Sequence, residues 1–296
     1  MSALSLKMAY SREKRGFGLF FVWTRVNTIK MERKIWLIFV MAFLGACDMI
    51  EYHPYDVRIH GETDMNRKNI PRIEAACAGK DTVRFALMGD TQRFYDETED
   101  FVTHLNGRND VDFVIHGGDV SDFGLTKEFE WVRDIMNKLD VPYVTLLGNH
   151  DVLGNGLDAF EEVFGAVNFD FMAGKNRFIC LNTNALEFDY SHPIPDFKYV
   201  YSLLADSVTE VSRTVPVMHV APGDIEFNNN VSLVFHELLK RFPGMEFCLH
   251  AHDHKLKEDD LFDDGIMYYG CSYMKDRNYL LFTLTPDWYG YEVVYY

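Results

Sequence analysis

The sequence predicts an α/β protein in which apolar strands alternate with amphipathic helices and end in polar side chains. Strand-like and helix-like segments alternate at a spacing of roughly 30 residues, which is typical of right-handed crossovers and a parallel sheet. Acidic, amide or imidazole side chains follow one strand after another. The 296-residue chain is 48% hydrophobic and 25% charged, a composition typical of globular proteins and not of disordered or fibrous ones.

The first elements of this pattern follow a short polar stretch and are regular. The best-defined helix places its apolar residues on one face, at the spacing that a period of 3.6 residues requires. These residues are Phe129, Val132, Ile135, Met136 and Leu139. In chain order, the predicted elements are strand Thr82–Met88, helix Glu97–Asn106, strand Val111–His116, helix Thr126–Leu139 and strand Val141–Leu147.

The second half of the chain continues with apolar strands and closes with a hairpin around Pro286-Asp287. No internal repeat or linker divides it, so residues 81–296 are predicted to form one domain. The predicted elements are strands Phe178–Asn182, Val215–His219, Glu246–His250 and Gly265–Tyr269, helix Val231–Phe242, and hairpin strands Tyr279–Thr285 and Tyr289–Tyr296.

Charge is distributed unevenly along the chain. The formal net charge is −16, but residues 1–46 carry +6, which leaves −22 on the remaining 250 residues. An acidic body argues against a stable nucleic-acid partner, although a bound metal ion can reverse the potential locally. The basic head on an acidic body indicates a targeting segment that precedes the domain.

The end of this head resembles a bacterial lipoprotein signal. The apolar run 35–46 has 12 residues, which is short for a membrane span of about 20 residues but suits a signal-peptide core. Leu44-Gly45-Ala46 directly precedes Cys47, which implies cleavage before Cys47, lipidation of that residue, and a membrane anchor at the bacterial cell envelope, on the periplasmic or surface face. The alternative is an ordinary buried helix with an incidental cysteine. Met31 is predicted to be the natural start, which makes 1–30 an upstream extension.

The segment between this signal and the domain, residues 47–80, is polar with weak periodicity and is interpreted as a tether. Five cysteines are an odd number, and Cys47 has its own predicted role. Cys180 and Cys248 lie within strand-like runs, so buried thiols are expected there rather than metal ligands.

The polar residues at the strand ends predict a metal site. Asp90, Asp119, Asn149 and His219 each follow a predicted strand, and the histidine cluster His250–His254 follows another. In open α/β sheets, ligands bind beyond the carboxyl ends of the strands. Burying carboxylates and imidazoles together is costly unless cations pair with them. Oxygen and nitrogen ligands without thiolates suit Mn²⁺, Fe, Zn²⁺, Ni²⁺ or Mg²⁺.

These strand ends resemble the metallophosphoesterase pattern of the calcineurin-like family, which reads D-x-H, GD-x-x-D, GNH[DE], H and GH-x-H. The resemblance covers roughly residues 82–270, in the right order and spacing. Two positions depart from the pattern: Gln92 stands where the family has a ligand histidine, and Ala251 replaces a glycine. The matching segments are Asp90-Thr91-Gln92, Gly118-Asp119-Val120-Ser121-Asp122, Gly148-Asn149-His150-Asp151, His219 and Ala251-His252-Asp253-His254.

The resemblance implies a four-layer α/β/β/α sandwich with two divalent metal ions at the carboxyl ends of the strands. It implies that Asp119 bridges the two ions. The first ion would also take Asp90, His254 and, as a weak fourth ligand, Gln92; the second would also take Asn149, His219 and His252.

The resemblance also implies a hydrolase of phosphoester bonds. His150 would protonate the leaving oxygen or stabilise the transition state, and Asp122 would hold its imidazole in orientation. Phosphoprotein phosphatases of the superfamily have an arginine where Phe123 stands, and purple acid phosphatases have a tyrosine where Asp122 stands. The resemblance then implies a small bacterial phosphohydrolase that acts on a small-molecule phosphoester, and monoester, diester and pyrophosphate substrates are all compatible with it.

Three hypotheses follow from the sequence. The first is a metal-dependent phosphoesterase anchored at the envelope. The second is a degenerate, non-catalytic metal-binding surface lipoprotein, for which Gln92 is the support. The third is a structural surface lipoprotein without metal, which leaves the series of ligand-type residues unexplained.

Overall fold

Two β-sheets face each other across a shared apolar layer, and helices cover their outer faces. A computed structural model describes residues 58–185, 193–206 and 210–296 of the chain. The predicted signal segment, Cys47 and the beginning of the predicted tether lie outside the described residues.

The described elements agree with most of those that the sequence predicts, usually with shorter strands. A single turn of 3-10 helix, His150–Val152, follows the third strand. The helices are α1 Met65–Cys77, α2 Tyr95–Asn106, α3 Thr126–Met136, α4 Gly156–Val163, α5 Phe197–Ala205 and α6 Ser232–Leu239. The strands are β1 Val83–Met88, β2 Phe113–His116, β3 Tyr143–Thr145, β4 Phe169–Ala173, β5 Asn176–Leu181, β6 Arg213–Met218, β7 Phe247–His250, β8 Lys257–Asp259, β9 Met267–Gly270, β10 Asn278–Leu284 and β11 Tyr289–Tyr295.

The strands form a five-stranded sheet in the order β11-β10-β1-β2-β3 and a six-stranded sheet in the order β4-β5-β6-β7-β9-β8. The predicted parallel pairing is present in β1-β2-β3 and in β5-β6-β7-β9. Antiparallel pairing is found toward the sheet edges. There β10 and β11 form the predicted hairpin, and β4 and β8 also pair antiparallel to their neighbours. Short connections join β4 to β5, β8 to β9 and β10 to β11, and a short connection requires antiparallel pairing.

Alternating side chains divide the core into three layers. In β1, Phe85 and Leu87 point between the sheets, whereas Ala86 and Met88 point toward the helices. The layer between the sheets is rich in aromatic rings, which bury large areas in staggered contacts. A second apolar layer lies between the five-stranded sheet and α2, α3 and α4, and a third lies between the six-stranded sheet and α5 and α6. The predicted four-layer α/β/β/α sandwich is confirmed.

Helix α3 has the buried face that the spacing of its apolar residues predicts. All five apolar residues that the sequence places on one face are buried in the layer beneath α3. The helix ends at Met136, three residues before the predicted end, but Leu139 still packs into the same layer.

Helix α1 lies within the segment interpreted as a tether and was not predicted from the sequence. Met65, Ile73 and Cys77 of this helix are buried, and α1 packs against β3 and β4. The described part of the chain, from residue 58 on, contains no helix long and apolar enough to cross a membrane. Its four cysteines are buried free thiols, as the sequence predicts for Cys180 and Cys248.

Candidate metal centre

The polar residues that follow the strands meet at one edge of the sandwich, where the carboxyl ends of β1, β2, β6 and β7 come together. Backbone hydrogen bonds join the loops that carry them. Asp90 N donates to Gly118 O at 2.9 Å, and Thr91 N donates to Asp119 O at 3.0 Å. The loop after β1 is thereby fixed against the loop after β2.

Several of these loop residues have a left-handed backbone. Asp90, Asp119, His252 and His254 have φ between 53° and 73°. Residues other than glycine rarely adopt this conformation, and it is concentrated at sites where the surrounding structure imposes it for function. The backbone is therefore locally strained at the candidate ligand residues on this edge of the sandwich.

One group of ligand-type atoms surrounds Asn149. The side-chain oxygen Oδ1 of Asn149 lies 2.9 Å from His219 Nε2 and 3.0 Å from His252 Nδ1. His219 Nε2 is also 3.3 Å from Asp119 Oδ1. Ligand atoms of Asp119, His219 and His252 all lie within 4.8 Å of one another.

A second group shares Asp119. Ligand atoms of Asp90, Asp119 and His254 lie within 4.8 Å of one another, and His254 Nε2 is 3.4 Å from Asp90 Oδ1. Gln92 lies beside this group and its Nε2 donates to Asp119 Oδ2 at 3.1 Å. The structure therefore brings together every residue for which the sequence predicts a role as a metal ligand.

The orientation of His219 indicates that a positively charged group lies between its ring and the oxygens it faces. His219 Nδ1 lies 2.8 Å from the carbonyl oxygen of Gly117, and because a carbonyl only accepts, Nδ1 carries the hydrogen. In a neutral ring, Nε2 would then direct its lone pair at the oxygens of Asn149 and Asp119, which is repulsive. Either a proton or a metal ion must lie between them.

Two further observations indicate that the two groups of ligand-type atoms could hold divalent ions. Ligands that share an ion at about 2.1 Å are separated from each other by about 3.0–3.4 Å, and the contacts within the first group fall at 2.9–3.3 Å. In the second group, Asp90 Oδ1 and Gln92 Oε1 are buried and accept no hydrogen bond from the described residues, and the contact of Asp90 Oδ1 with His254 at 3.4 Å is an ion-pair contact. Unpartnered buried acceptors are costly, and a divalent ion would satisfy both.

The electrostatics of the first group also favour a cation at this position. Burial alone would raise the pKa of Asp119, but the adjacent His219 outweighs burial and lowers this pKa to about 2. Burial opposes the charge on His219, yet the carboxylate of Asp119 raises the pKa of His219 to about 10. A proton on His219 thus holds the position that a cation would take.

Glycine is required where the loops approach most closely. A Cβ atom on Gly148 would lie 2.1 Å from Asp119 N and 2.2 Å from Asp119 Oδ1. A Cβ on Gly118, which has φ of +107°, would lie 2.6 Å from His219 Nδ1. At the position of the missing family glycine, the methyl group of Ala251 is fully buried beside Gly117, so alanine fits there.

His150 lies at the edge of the centre and is not one of the residues in either ligand group. Its backbone N donates to Asp119 Oδ1 at 3.0 Å, and its Nδ1 lies 3.0 Å from the backbone carbonyl of Asp122. The carboxylate Oδ1 of Asp122 is farther away, at 3.8 Å from Nδ1, and forms an ion pair with Arg93. Asp122 therefore contacts His150 mainly through its backbone, and no sequence motif indicated Arg93 as a partner of Asp122.

Asp151 is a further residue whose part in the site the sequence analysis missed. It is fully buried and accepts hydrogen bonds from the backbone N–H groups of Val120, Ser121 and Gly148 and from the Ser121 hydroxyl. Burial and the nearby Asp119 raise the pKa of Asp151 to about 7. Asp151 thereby connects the loop after β2 to the loop after β3. Its place in the GNHD motif was the sequence signal that could have indicated this role.

Residues outside the sequence motifs contact the two histidines of the last loop. Asp224 Oδ1 lies 3.3 Å from His252 Nε2, and the ring of Tyr273 stacks on His254 with centroids 4.8 Å apart and planes at 3°. Tyr273 and Asp224 are distant in sequence from the histidines they contact, so no local pattern could have indicated these contacts.

A separate group of ligand-type residues, His236, Glu237 and Asp264, also lies within 4.8 Å. Lys240 Nζ lies 2.9 Å from Glu237 Oε1 and 2.7 Å from Asp264 Oδ2. The lysine already supplies the positive charge beside the two carboxylates, so this group does not require a metal ion.

A two-sheet sandwich with an aspartate shared between two clusters of oxygen and nitrogen ligands is an arrangement that suits metal-dependent hydrolysis. The family model for calcineurin-like phosphoesterases matches residues 83–256, more than half of the chain. The chain belongs to the calcineurin-like phosphoesterase family, and the resemblance in the strand-end motifs is confirmed at that level.

Two curated proteins are similar over parts of their length. The uncharacterized protein YvnB of Bacillus subtilis (strain 168) is 22% identical over 228 residues, which cover 63% of this chain and 16% of YvnB. The probable glycerophosphodiester phosphodiesterase GpdQ of Arcobacter nitrofigilis is 36% identical over 62 residues, which cover 21% of this chain and 23% of GpdQ. The matches thus span less than a quarter of the length of either relative.

Solved structures share the fold. GAP50, the anchor in the inner membrane complex of Plasmodium, is 14% identical with a TM-score of 0.56, over 73% of this chain and 85% of that chain. PhoD is 10% identical with a TM-score of 0.54, over 74% of this chain and 69% of that one. TT1561 of Thermus thermophilus is 14% identical with a TM-score of 0.50, over 72% of this chain and 99% of that one. At these identities, the likeness concerns the fold.

Proposed function

We propose that this protein is a metal-dependent phosphoesterase whose centre binds two divalent ions. The observation that carries the proposal is the position of Asp119, whose Oδ1 faces His219 and whose Oδ2 faces Gln92, and which belongs to both groups of ligand-type atoms. A carboxylate shared between two ligand clusters is the arrangement that paired ions require.

The residues divide into two sets. One ion would be held by Asp119, Asn149, His219 and His252, and the other by Asp90, Asp119, His254 and the amide oxygen of Gln92. Neither set contains a thiolate, so the candidate metals are Mn²⁺, Fe, Zn²⁺, Ni²⁺ and Mg²⁺. When bound, such ions offset the charge of phosphoryl oxygens and lower the pKa of water so that it attacks near neutral pH.

His150 is suited to protonate the leaving oxygen. Its Nδ1 faces the backbone carbonyl of Asp122, so Nδ1 keeps its hydrogen and Nε2 is the atom that exchanges a proton. The ring is partly exposed and therefore accessible to a substrate. The carbonyl contact holds the imidazole in one orientation, which a general acid needs in order to meet the leaving group.

A small-molecule phosphoester is the proposed substrate, and both monoesters and diesters are compatible with the centre. A diester is favoured by the similarity over 62 residues to a probable glycerophosphodiester phosphodiesterase. A degenerate, non-catalytic metal-binding protein is the second candidate, and its support is Gln92, an amide where the family pattern has a histidine.

Hydrolysis of chromogenic esters separates these candidates. The purified protein is stripped with a chelator, reloaded with Mn²⁺ or Zn²⁺, and assayed with p-nitrophenyl phosphate and bis(p-nitrophenyl) phosphate. We expect hydrolysis of at least one ester in the reloaded protein and none in the stripped protein. Asp119→Asn should abolish turnover, whereas Asp264→Asn, a carboxylate on a histidine outside the centre, should not. A protein that binds metal but hydrolyses neither ester supports the degenerate candidate.

We further propose that the enzyme is anchored at the bacterial cell envelope through a lipidated Cys47. The support is the order of charged residues, apolar run 35–46 and small residues before the cysteine. Expressed in a Gram-negative host, the protein should partition with membranes and incorporate labelled fatty acid, and Cys47→Ala should do neither. Unchanged labelling of the Cys47→Ala protein would contradict the anchor.

A further inference from the structure

We infer that Asp224 is the residue that fixes the orientation and tautomer of His252, and thereby sets the affinity of one metal position. This inference rests on the metal centre proposed above and assigns a residue that lies outside all the strand-end motifs. Asp224 belongs to the turn that follows His219. The same loop therefore supplies one candidate ligand, His219, and the carboxylate that contacts a second candidate ligand, His252.

The geometry around His252 has two sides. On the inner side, Nδ1 lies 3.0 Å from Asn149 Oδ1, within the cluster that includes Asp119 and His219. On the outer side, Nε2 lies 3.3 Å from the carboxylate oxygen Oδ1 of Asp224. An ionised carboxylate only accepts hydrogen bonds, so it favours the ring in which Nε2 carries the hydrogen. That tautomer leaves the lone pair of Nδ1 directed at the centre, as a metal ligand requires.

The turn that carries Asp224 is well held. Asp224 Oδ1 accepts a hydrogen bond from Glu226 N at 2.9 Å, and Asp224 O accepts one from Asn229 Nδ2 at 2.6 Å. Phe227, in the same turn, is buried in the layer between the six-stranded sheet and its helices. The carboxylate is therefore positioned before any ion binds, and a preorganised partner loses little entropy when it orients a ligand.

The three candidate imidazole ligands differ in their support. His219 is held by the Gly117 carbonyl at 2.8 Å and His252 by the carboxylate of Asp224. The ring of His254 lies 3.4 Å from Asp90 Oδ1 within its own ligand group and is stacked on Tyr273. Hydrogen bonds to the outer nitrogen of a ligand histidine raise its basicity and fix its direction. The cluster around Asn149 is thus the better supported of the two, and Asp224 supplies the charged part of that support.

Substitutions at Asp224 can separate charge from turn formation. Asp224→Asn keeps an oxygen that accepts from Glu226 N but removes the negative charge, whereas Asp224→Ala removes the acceptor as well. The matched control is Asp264→Asn, which neutralises a carboxylate 2.9 Å from Nε2 of His236, a histidine outside the centre. Zn²⁺ alone is the probe, because its filled d shell allows both calorimetry and NMR of the ring nitrogens.

Calorimetric titration of the metal-free full chain should show that Asp224→Ala weakens one Zn²⁺ position by about 10–100-fold, the usual cost of losing such a partner. Asp224→Asn should weaken the same position to a smaller extent, and the other position should be unchanged. In the Zn²⁺-loaded wild type, ¹⁵N NMR should show hydrogen on Nε2 of His252 and metal on Nδ1. Asp264→Asn should match the wild type in both measurements.

Circular dichroism establishes whether each variant is folded, and if Asp224→Ala is not, Asp224→Asn decides alone. Wild-type Zn²⁺ affinities in a folded variant, with an unchanged His252 tautomer, would overturn the role of Asp224 while leaving the metal centre intact. A wild type that binds no Zn²⁺ would overturn the metal centre itself, so the two failures are distinguishable.

Discussion

Gln92 is the position at which this chain departs from the ligand pattern of its family, and its surroundings allow the consequence to be estimated. The side chain is buried. Its Nε2 donates to Asp119 Oδ2 at 3.1 Å, and because a carboxylate accepts only, the amide oxygen must face the other way. That oxygen, Oε1, has no hydrogen-bond partner among the described residues.

An unpartnered buried acceptor costs about 1–3 kcal/mol. An ion that takes Oε1 of Gln92 as a ligand recovers that free energy, so Gln92→Ala should weaken the binding of that ion by a similar amount. The expected loss is about 5–150-fold in Kd. Gln92→His, which supplies an imidazole in place of a neutral amide, should bind at least as tightly as the wild type. We also expect unequal affinities in the wild type, with one ion held tightly and the other lost on dialysis.

Equilibrium dialysis against graded Mn²⁺, with metal content measured per chain, provides the assay. Ester hydrolysis at low Mn²⁺ should follow the same order, with Gln92→His above the wild type and Gln92→Ala below it. Two equally tight ions in the wild type, unchanged in both variants, would refute the reasoning and leave Gln92 with no role as a ligand.

Three other predictions concern neighbouring residues. His150→Ala should lower kcat by roughly 10²–10⁴-fold with metal content retained, and by less for substrates with good leaving groups; loss of metal would make His150 a ligand. Burial opposes the charge on His219, but the charge and hydrogen bond of Asp119, together with the charge of Asp90, raise the pKa of His219 to about 10; ion binding near pH 7 should therefore release a proton, and affinity should rise with pH up to about 10. Calorimetry in buffers of different ionisation enthalpy measures this release, and a pH-independent affinity would contradict it. Gly148→Ala, whose Cβ would lie 2.1 Å from Asp119 N, should lower both metal content and Tm; wild-type values for both would show that the loops can move apart.

The sequence predicted those helices and strands in which the repeat of apolar residues along the element matches the residues that are buried. Helix α3 repeats apolar residues along one face, and β1 is apolar from Phe85 to Met88 because both of its faces are covered there. Helix α1 was missed although Met65, Asn69, Ile73 and Cys77 are buried at four-residue spacing. A polar residue within that series and Pro71 in the helix interior hid the period. Asn69 is buried by tertiary packing, which no local pattern contains.

The candidate ligands were visible because each directly follows a strand in a characteristic motif, and strand ends meet at a sheet edge whatever the intervening sequence. The residues that support them were not visible for the opposite reason. Asp224 reaches His252, and Tyr273 reaches His254, only through the folded arrangement of separate loops. Arg93 lies beside a motif, but its pairing with Asp122 depends on how the loops after β1 and β2 pack together.

The central claim is that two ions, bridged by Asp119, carry out phosphoester hydrolysis. Its most direct test is to add Mn²⁺ stepwise to the metal-free protein and measure bound ions per chain together with the rate of bis(p-nitrophenyl) phosphate and p-nitrophenyl phosphate hydrolysis. We predict no turnover without metal, full turnover only when two ions are bound, and neither full loading nor turnover in Asp119→Asn. Full activity in the metal-free protein, or activity that is complete with a single bound ion, would contradict the claim.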